Sequence, residues 1–296
     1  MFSVRTLDEV VSTNEEVKRA IADDRPEGLV VRAHRQSGGY GRDGRRWESP
    51  LGGLYFSMLL RPDVDACQLS TLPLVVGLAV REALGEFVSA DMFSAVQIKW
   101  PNDIVLVGAA MQPESEATQP ERAAMQPELE KRAAMCSEPV ERASERGERP
   151  LVKKLCGISA EAHDGAVCVG VGVNVKRPQI MPTVQGKNSP VYLAEIASES
   201  AASFQDGALQ TQVLEAILRH FEPSYRRWKE EGFAPFAPLC NACFALAGVR
   251  VAILDRAGRE LASGQACGVD GQGFLLLEDA AGITRAISTG EAHIQL

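Results

Sequence analysis

The spacing of apolar positions changes several times along the chain, and each change marks an element. Residues 4–11 alternate loosely, as a strand does, and Val17, Ala20 and Ile21 then recur at helical spacing. Ser12 with Glu15, or Thr13 with Glu16, fits a capping box at that helix start. Residues 29–31 and 54–60 read as buried strands. Between 70 and 87, Leu74, Val75, Leu78 and Ala79 predict a core helix that tolerates Pro73 only in its first turns. Residues 96–100 and 104–107 are strands parted by Pro101-Asn102-Asp103, a turn by composition. Residues 155–161 and 167–175 predict a hairpin turning near Asp164-Gly165. Val213, Leu214, Ile217, Leu218, Phe221, Tyr225 and Trp228 form one face of a helix over 209–233, with Gly232 as its stop. Four short strands at 249–254, 260–267, 274–277 and 283–287 then predict a small all-β barrel or sandwich.

Composition alters this picture at one place. Between 109 and 150 the chain repeats Ala-Ala-Met, twice followed by Gln-Pro-Glu, among Glu, Arg and Pro. So little apolar area cannot offset ordering entropy, and the prolines interrupt helices, so 108–151 reads as a disordered insertion. No run is apolar and long enough to predict a membrane span, and the N-terminus lacks a signal-peptide core. Seven scattered cysteines favour a reducing compartment, with the cytoplasm as default. The Cys240–Cys243 pair reads as ordinary thiols, since no second pair or ligand-spaced His accompanies it. A net charge of −8 makes nucleic acid an unexpected partner.

Against that charge, residues 36–47 hold four glycines and three arginines. Such a backbone approaches a ligand closely, and its amides and guanidinium groups suit phosphate or carboxylate. Gly39-x-Gly41-x-x-Gly44 matches the dinucleotide fingerprint in form only. Arg45-Arg46-Trp47-Glu48-Ser49-Pro50 is a poor start for the helix that motif requires. Lys99-Trp100-Pro101-Asn102-Asp103 is either a self-capped turn or a cation, amide and carboxylate facing a nucleotide and its magnesium. Lys153-Lys154 either ends the insertion in solvent or places an ammonium in a site. Gly170-x-Gly172-x-Asn174 either packs a sheet or admits a ligand ring.

In this order, Ser12-Thr13-Asn14, the loop ending at Trp47, Lys99–Asp103, Lys154-Leu155-Cys156-Gly157-Ile158 and Gly170–Asn174 resemble the biotin protein ligases. The resemblance implies an α+β fold, a mixed β-sheet with helices like the class II synthetases, followed by a small C-terminal SH3-like β-barrel. The corresponding domains are 1–240 and 245–296. The implied reaction joins biotin and ATP as biotinyl-5′-AMP with Mg2+, then passes biotin to a lysine of a carboxyl-carrier domain. Many relatives also carry an N-terminal helix-turn-helix repressor domain. Here the motifs begin at Ser12, so neither that domain nor DNA binding is expected; a homodimer remains open.

Carried over residue by residue, Ser12, Thr13, Asn14, Gln36, Tyr40, Gly41, Arg42 and Lys154 would bind biotin. Arg42, Arg45, Trp47, Lys99, Asn102, Asp103, Gly172 and Asn174 would face ATP or the adenylate. Lys154, Arg42 and Asp103 would be catalytic, with Asp103 also the magnesium candidate. Two departures stand out: Tyr40 replaces the first arginine of the usual G-R-G-R, and Ser159 replaces a leucine. A lipoate or octanoate ligase and a non-catalytic biotin scaffold are the alternatives.

Overall fold

The computed structural model describes residues 2–108, 152–179, 189–198, 201 and 207–294. Of the insertion expected at 108–151 only Gly108 is among the described residues, and residues 180–188 lie outside them as well. Seven strands form the large sheet: β1 Ser3–Val10, β2 Leu29–Gln36, β3 Leu54–Leu60, β4 Val96–Lys99, β5 Asp103–Val107, β6 Val152–His163 and β7 Ala166–Val173. Their order is β1-β2-β3-β7-β6-β5-β4. Only β1 and β2 pair in parallel, because helix α1 (Thr13–Ala22) provides the crossover between them. The hairpin expected between β6 and β7 forms, with Asp164 and Gly165 both at positive φ as its tight turn requires.

The sheet is covered on both faces. Helix α3 (Leu72–Gly85) follows the short α2 (Ala66–Leu69), with Pro73 in its first turn; it packs with the long helix that closes the domain against Phe56, Met58 and Val169. Contrary to the sequence expectation, residues 66–85 reach the length and apolarity of a membrane span, yet 61% of that window is buried inside the protein. Helix α1 covers part of the opposite face with Val17, Ala20 and Ile21 over Val31, Leu59 and Cys168. It leaves the rest of that face for the site. Short helices α4 (Ala90–Ala95) and α5 (Leu193–Ile196) precede α6, Ala208–Glu231. Gly232 ends α6 at φ 72°, as expected.

After α7 (Ala237–Ala242), five strands form an antiparallel sheet ordered β11-β10-β9-β8-β12. They are β8 Arg250–Leu254, β9 Glu260–Val269, β10 Leu275–Glu278, β11 Thr284–Ile287 and β12 Glu291–Ile294. The sequence reading missed β12, which is short and places Ala292 alone in the core. The connection to this sheet is stitched into the large one: Ile98 N donates to Cys243 O at 2.8 Å and Ala245 N to Ile98 O at 2.9 Å. Cys240 and Cys243 are buried, and burial raises both thiols, Cys243 to about 11. They are packing groups rather than thiolates.

Candidate active site

The N-terminus of α1 is the first wall of the site. Ser12 caps the helix by accepting from the Asn14 amide at 3.2 Å. The capping-box partner expected in Glu15 instead turns to Tyr40. The helix start therefore leaves Thr13 and Asn14 free to enter a buried polar network. Thr13 donates to Gln36 Oε1 from its amide at 2.7 Å and from its hydroxyl at 3.1 Å. Gln36 Nε2 donates to Ser49 Oγ at 2.8 Å. Asn14 Nδ2 points to Ser159 Oγ at 3.5 Å, so the departure at 159 supplies the asparagine with an acceptor.

Ser57 joins these groups, and the sequence reading missed it. It is fully buried on β3, 2.6 Å from Asn14 Oδ1, to which it donates, and 2.7 Å from Thr13 Oγ1. A single hydroxyl inside the apolar run 54–60 was its only signal. Buried polar groups of this kind cost about 1–3 kcal/mol each when left unpaired. If this network receives the biotin that the sequence resemblance implies, Ser57→Ala weakens its binding about tenfold, read by calorimetric titration. Wild-type affinity in that variant would remove Ser57 from the site.

The floor is glycine. In register across β6 and β7, Gly157 faces Gly172 and Ser159 faces Gly170. A Cβ on Gly172 would come 2.6 Å from Trp47 Nε1, and one on Gly157 3.0 Å from the same ring. The indole thus lies directly on the strand backbones, and its buried N–H has no partner among the described residues. Gly170 serves the network instead, since its Cβ would lie 2.3 Å from Asn14 Oδ1. The glycines of these strands are here for close approach.

A bulge aims the cation at this floor. The β5–β6 register shifts between Ile104, paired with Cys156, and Val105, paired with Lys154. Lys154 Nζ stands 2.7 Å from Asp103 Oδ1 and 5.0 Å from the centroid of the Trp47 ring. Two residues expected to face ATP each give an amide N–H to the strand. Asn174 Nδ2 donates to Lys154 O at 3.0 Å and Asn102 Nδ2 to Ile158 O at 2.5 Å. Lys99, on the last position of β4, is shifted down by burial, against the raising effect of Asp103. Trp100–Pro101 is cis, and Trp100 Nε1 donates to Gly273 O of the small domain at 3.1 Å.

The glycine-arginine loop folds as an irregular hairpin with a single 3-10 turn at Arg42–Gly44. Trp47 N donates to Gly39 O at 2.9 Å and Gly41 N to Arg45 O at 2.8 Å. No helix follows, in line with the rejection of a dinucleotide motif. Gly39 allows the hairpin to close, because its Cβ would lie 2.5 Å from Ser49 Oγ. Arg42 Nη1 donates to Gly290 O at 3.0 Å, Arg45 pairs with Glu291, and Arg256 reaches Asp43 at 2.5 Å. The arginines expected over the adenylate thus also fasten the hairpin to the small domain. A cleft of about 580 Å3 between them is lined by Arg42, Arg45, Glu161, Arg256 and Arg259.

Asp103 offers one carboxylate, already engaged by Lys154, and no cluster of three or more metal-ligating side chains occurs among the described residues. These residues do not by themselves make a magnesium site.

The chain is similar to known proteins over most of its length. Residues 9–112 match the biotin/lipoate A/B protein ligase family, and 247–293 match the biotin protein ligase C-terminal domain. The chain is 27% identical over 287 residues to the bifunctional ligase/repressor BirA of Bacillus subtilis, covering 95% of this chain and 71% of that one. It is 28% identical to the biotin–[acetyl-CoA-carboxylase] ligase of Paracoccus denitrificans, covering 92% of each. The biotin protein ligase of Aquifex aeolicus in complex with biotin and ATP superposes with a TM-score of 0.69 at 26% identity, over 100% of this chain and 99% of that one. With both domain models matched in order and the fold of the described residues shared with a biotin protein ligase, this chain belongs to the biotin protein ligase family of enzymes.

Proposed function

We propose that the protein activates biotin with ATP and transfers it to one lysine of a biotin carboxyl-carrier domain. The observation that carries this reading is a buried hydrogen-bonding network, Thr13, Asn14, Gln36, Ser57 and Ser159, beside a glycine floor under one lysine ammonium. A neutral ring with donors and acceptors at one end fits the network, and an anionic tail fits Lys154. A lipoate ligase needs an apolar tunnel, which these side chains do not line.

The biotin carboxylate oxygen attacks the α-phosphorus, and the bond to pyrophosphate breaks as the mixed anhydride forms. Lys154 faces the charge that builds on the phosphoryl oxygens, and Arg42 and Arg45 lie on the nucleotide side of the hairpin. Asn102 and Asn174 support this step indirectly by fixing the strand under Lys154. The acceptor amine then attacks the acyl carbon, AMP leaves, and the amine proton passes to a base, for which Asp103 is the nearest carboxylate to Lys154. Magnesium would arrive with the phosphates of ATP, and neither step needs an ion held by the protein. The acidic balance of the chain favours a role without DNA.

The test is labelling of a purified carrier domain with biotin and ATP, followed by mass spectrometry. A gain of one biotinyl group at one lysine is expected. Pyrophosphate exchange supported by lipoate but not by biotin would favour the alternative ligase, and binding of biotin without exchange would favour a scaffold.

A further inference from the structure

Tyr40 stands where the family loop has its first arginine, and the structure gives its phenol a different occupation. The hydroxyl donates to Glu15 Oε1 at 2.8 Å and accepts from Lys18 Nζ at 2.7 Å. A phenol has one proton to give, so Tyr40 has no donor left for a ligand. Lys18 also reaches Glu161 Oε2 at 2.7 Å and Glu15 Oε1 at 3.3 Å. Its ammonium stands 5.1 Å from the centroid of the Tyr40 ring. Three segments meet here: α1 brings Glu15 and Lys18, the hairpin brings Tyr40, and β6 brings Glu161.

The charges decide what such a cluster can do. Two carboxylates and one ammonium leave it net negative, so it offers an anionic ligand no attraction. The hydrogen bond from Tyr40 holds the Glu15 carboxyl below the usual range, despite burial, and burial raises the Tyr40 phenol to about 12. Tyr40 thus stays protonated and Glu15 ionised, the states in which this bond is a charge-assisted one. Both elements it ties to the hairpin also carry the network, α1 through Thr13 and Asn14 and β6 through Ser159.

We propose that Tyr40, Lys18, Glu15 and Glu161 act as positioning residues, a latch that fastens the hairpin to α1 and sets how long the acyl-adenylate stays bound. The adenylate half of this statement rests on the proposed function; the latch itself does not. Lys18 is the new member, since it belongs to none of the motifs that carry the family resemblance, and Glu161 is the strand carboxylate that it engages. The hairpin is held on its far side by the small domain, so the latch controls its near edge.

The test compares Tyr40→Phe, Lys18→Met and the double variant in the full chain. Hydrogen exchange of amides 38–46 is read first, without substrates. Each single variant is expected to speed that exchange roughly threefold to tenfold, and the double no more than the larger single, because the two groups share one interaction. Amides of β8 to β10 keep their rates. With biotin and ATP, release of the adenylate quickens by a similar factor and KM for biotin rises more than kcat falls. Unchanged exchange at 38–46, exchange raised equally in the small domain, or independent multiplication of the two effects would each overturn the latch. Faster exchange with no adenylate formed would leave the latch in place and defeat the ligase reading instead.

Discussion

Replacing Lys154 by alanine is expected to slow biotin-dependent pyrophosphate exchange by a factor on the order of 100 to 1,000, the range for removing one preorganised group from a developing anion. The expectation follows from its restraint. Asp103 at 2.7 Å, the Trp47 ring at 5.0 Å and the Asn174 amide on its carbonyl all fix where the ammonium points. A group held before the reaction costs nothing to organise during it. The loss belongs in kcat as much as in kcat/KM, since the charge it faces grows only as the anhydride forms. Lys154→Arg is expected to recover part of the rate, because charge returns while the reach and shape differ. An exchange rate within tenfold of wild type in the alanine variant, with unchanged circular dichroism, would remove Lys154 from the mechanism.

Gly170→Ala is expected to weaken biotin binding on the order of 100-fold, the loss that follows when two buried groups are left unpaired at about 1–3 kcal/mol each. The added methyl would lie 2.3 Å from Asn14 Oδ1 and 2.8 Å from Ser159 Oγ. Neither atom is the free end of a flexible chain. Asn14 is held by Ser57 and Ser159, and both it and Ser159 are buried. The asparagine must turn away, and its two side-chain hydrogen bonds go with it. Isothermal titration with biotin alone reads this without the chemical step. An affinity within threefold of wild type would mean that the network yields to a methyl and does not orient the ligand.

The strands and the long helices were legible because their apolar spacing is set by one-sided burial. The KWPND turn, the glycine hairpin and the Lys154 strand end were legible as well, since composition alone limits what such runs can form. The rest depended on pairing across the fold. Ser57 looks like an accident in an apolar strand until Asn14 and Thr13 arrive from 43 and 44 residues away. Tyr40 reads as a lost arginine until Lys18 and Glu161 are seen beside it. Asn102 and Asn174 sit within recognisable motifs, yet each gives an amide N–H to a backbone carbonyl, which no local pattern reveals. Residue 66–85 composition suggested nothing of a span, although the stretch has the apolarity for one. What covers it is tertiary.

The connection at 243–245 and the bond from Trp100 to Gly273 have a consequence for how such a chain can change over time. A module added behind a catalytic domain can be exchanged or lost by recombination at its linker. Here the linker is itself an edge of the large sheet, and the turn after Lys99 takes an acceptor from beyond it. Any ancestor that traded this C-terminal sheet for another would have lost the acceptor that holds the Trp100 indole as well. The small domain is inherited together with the site.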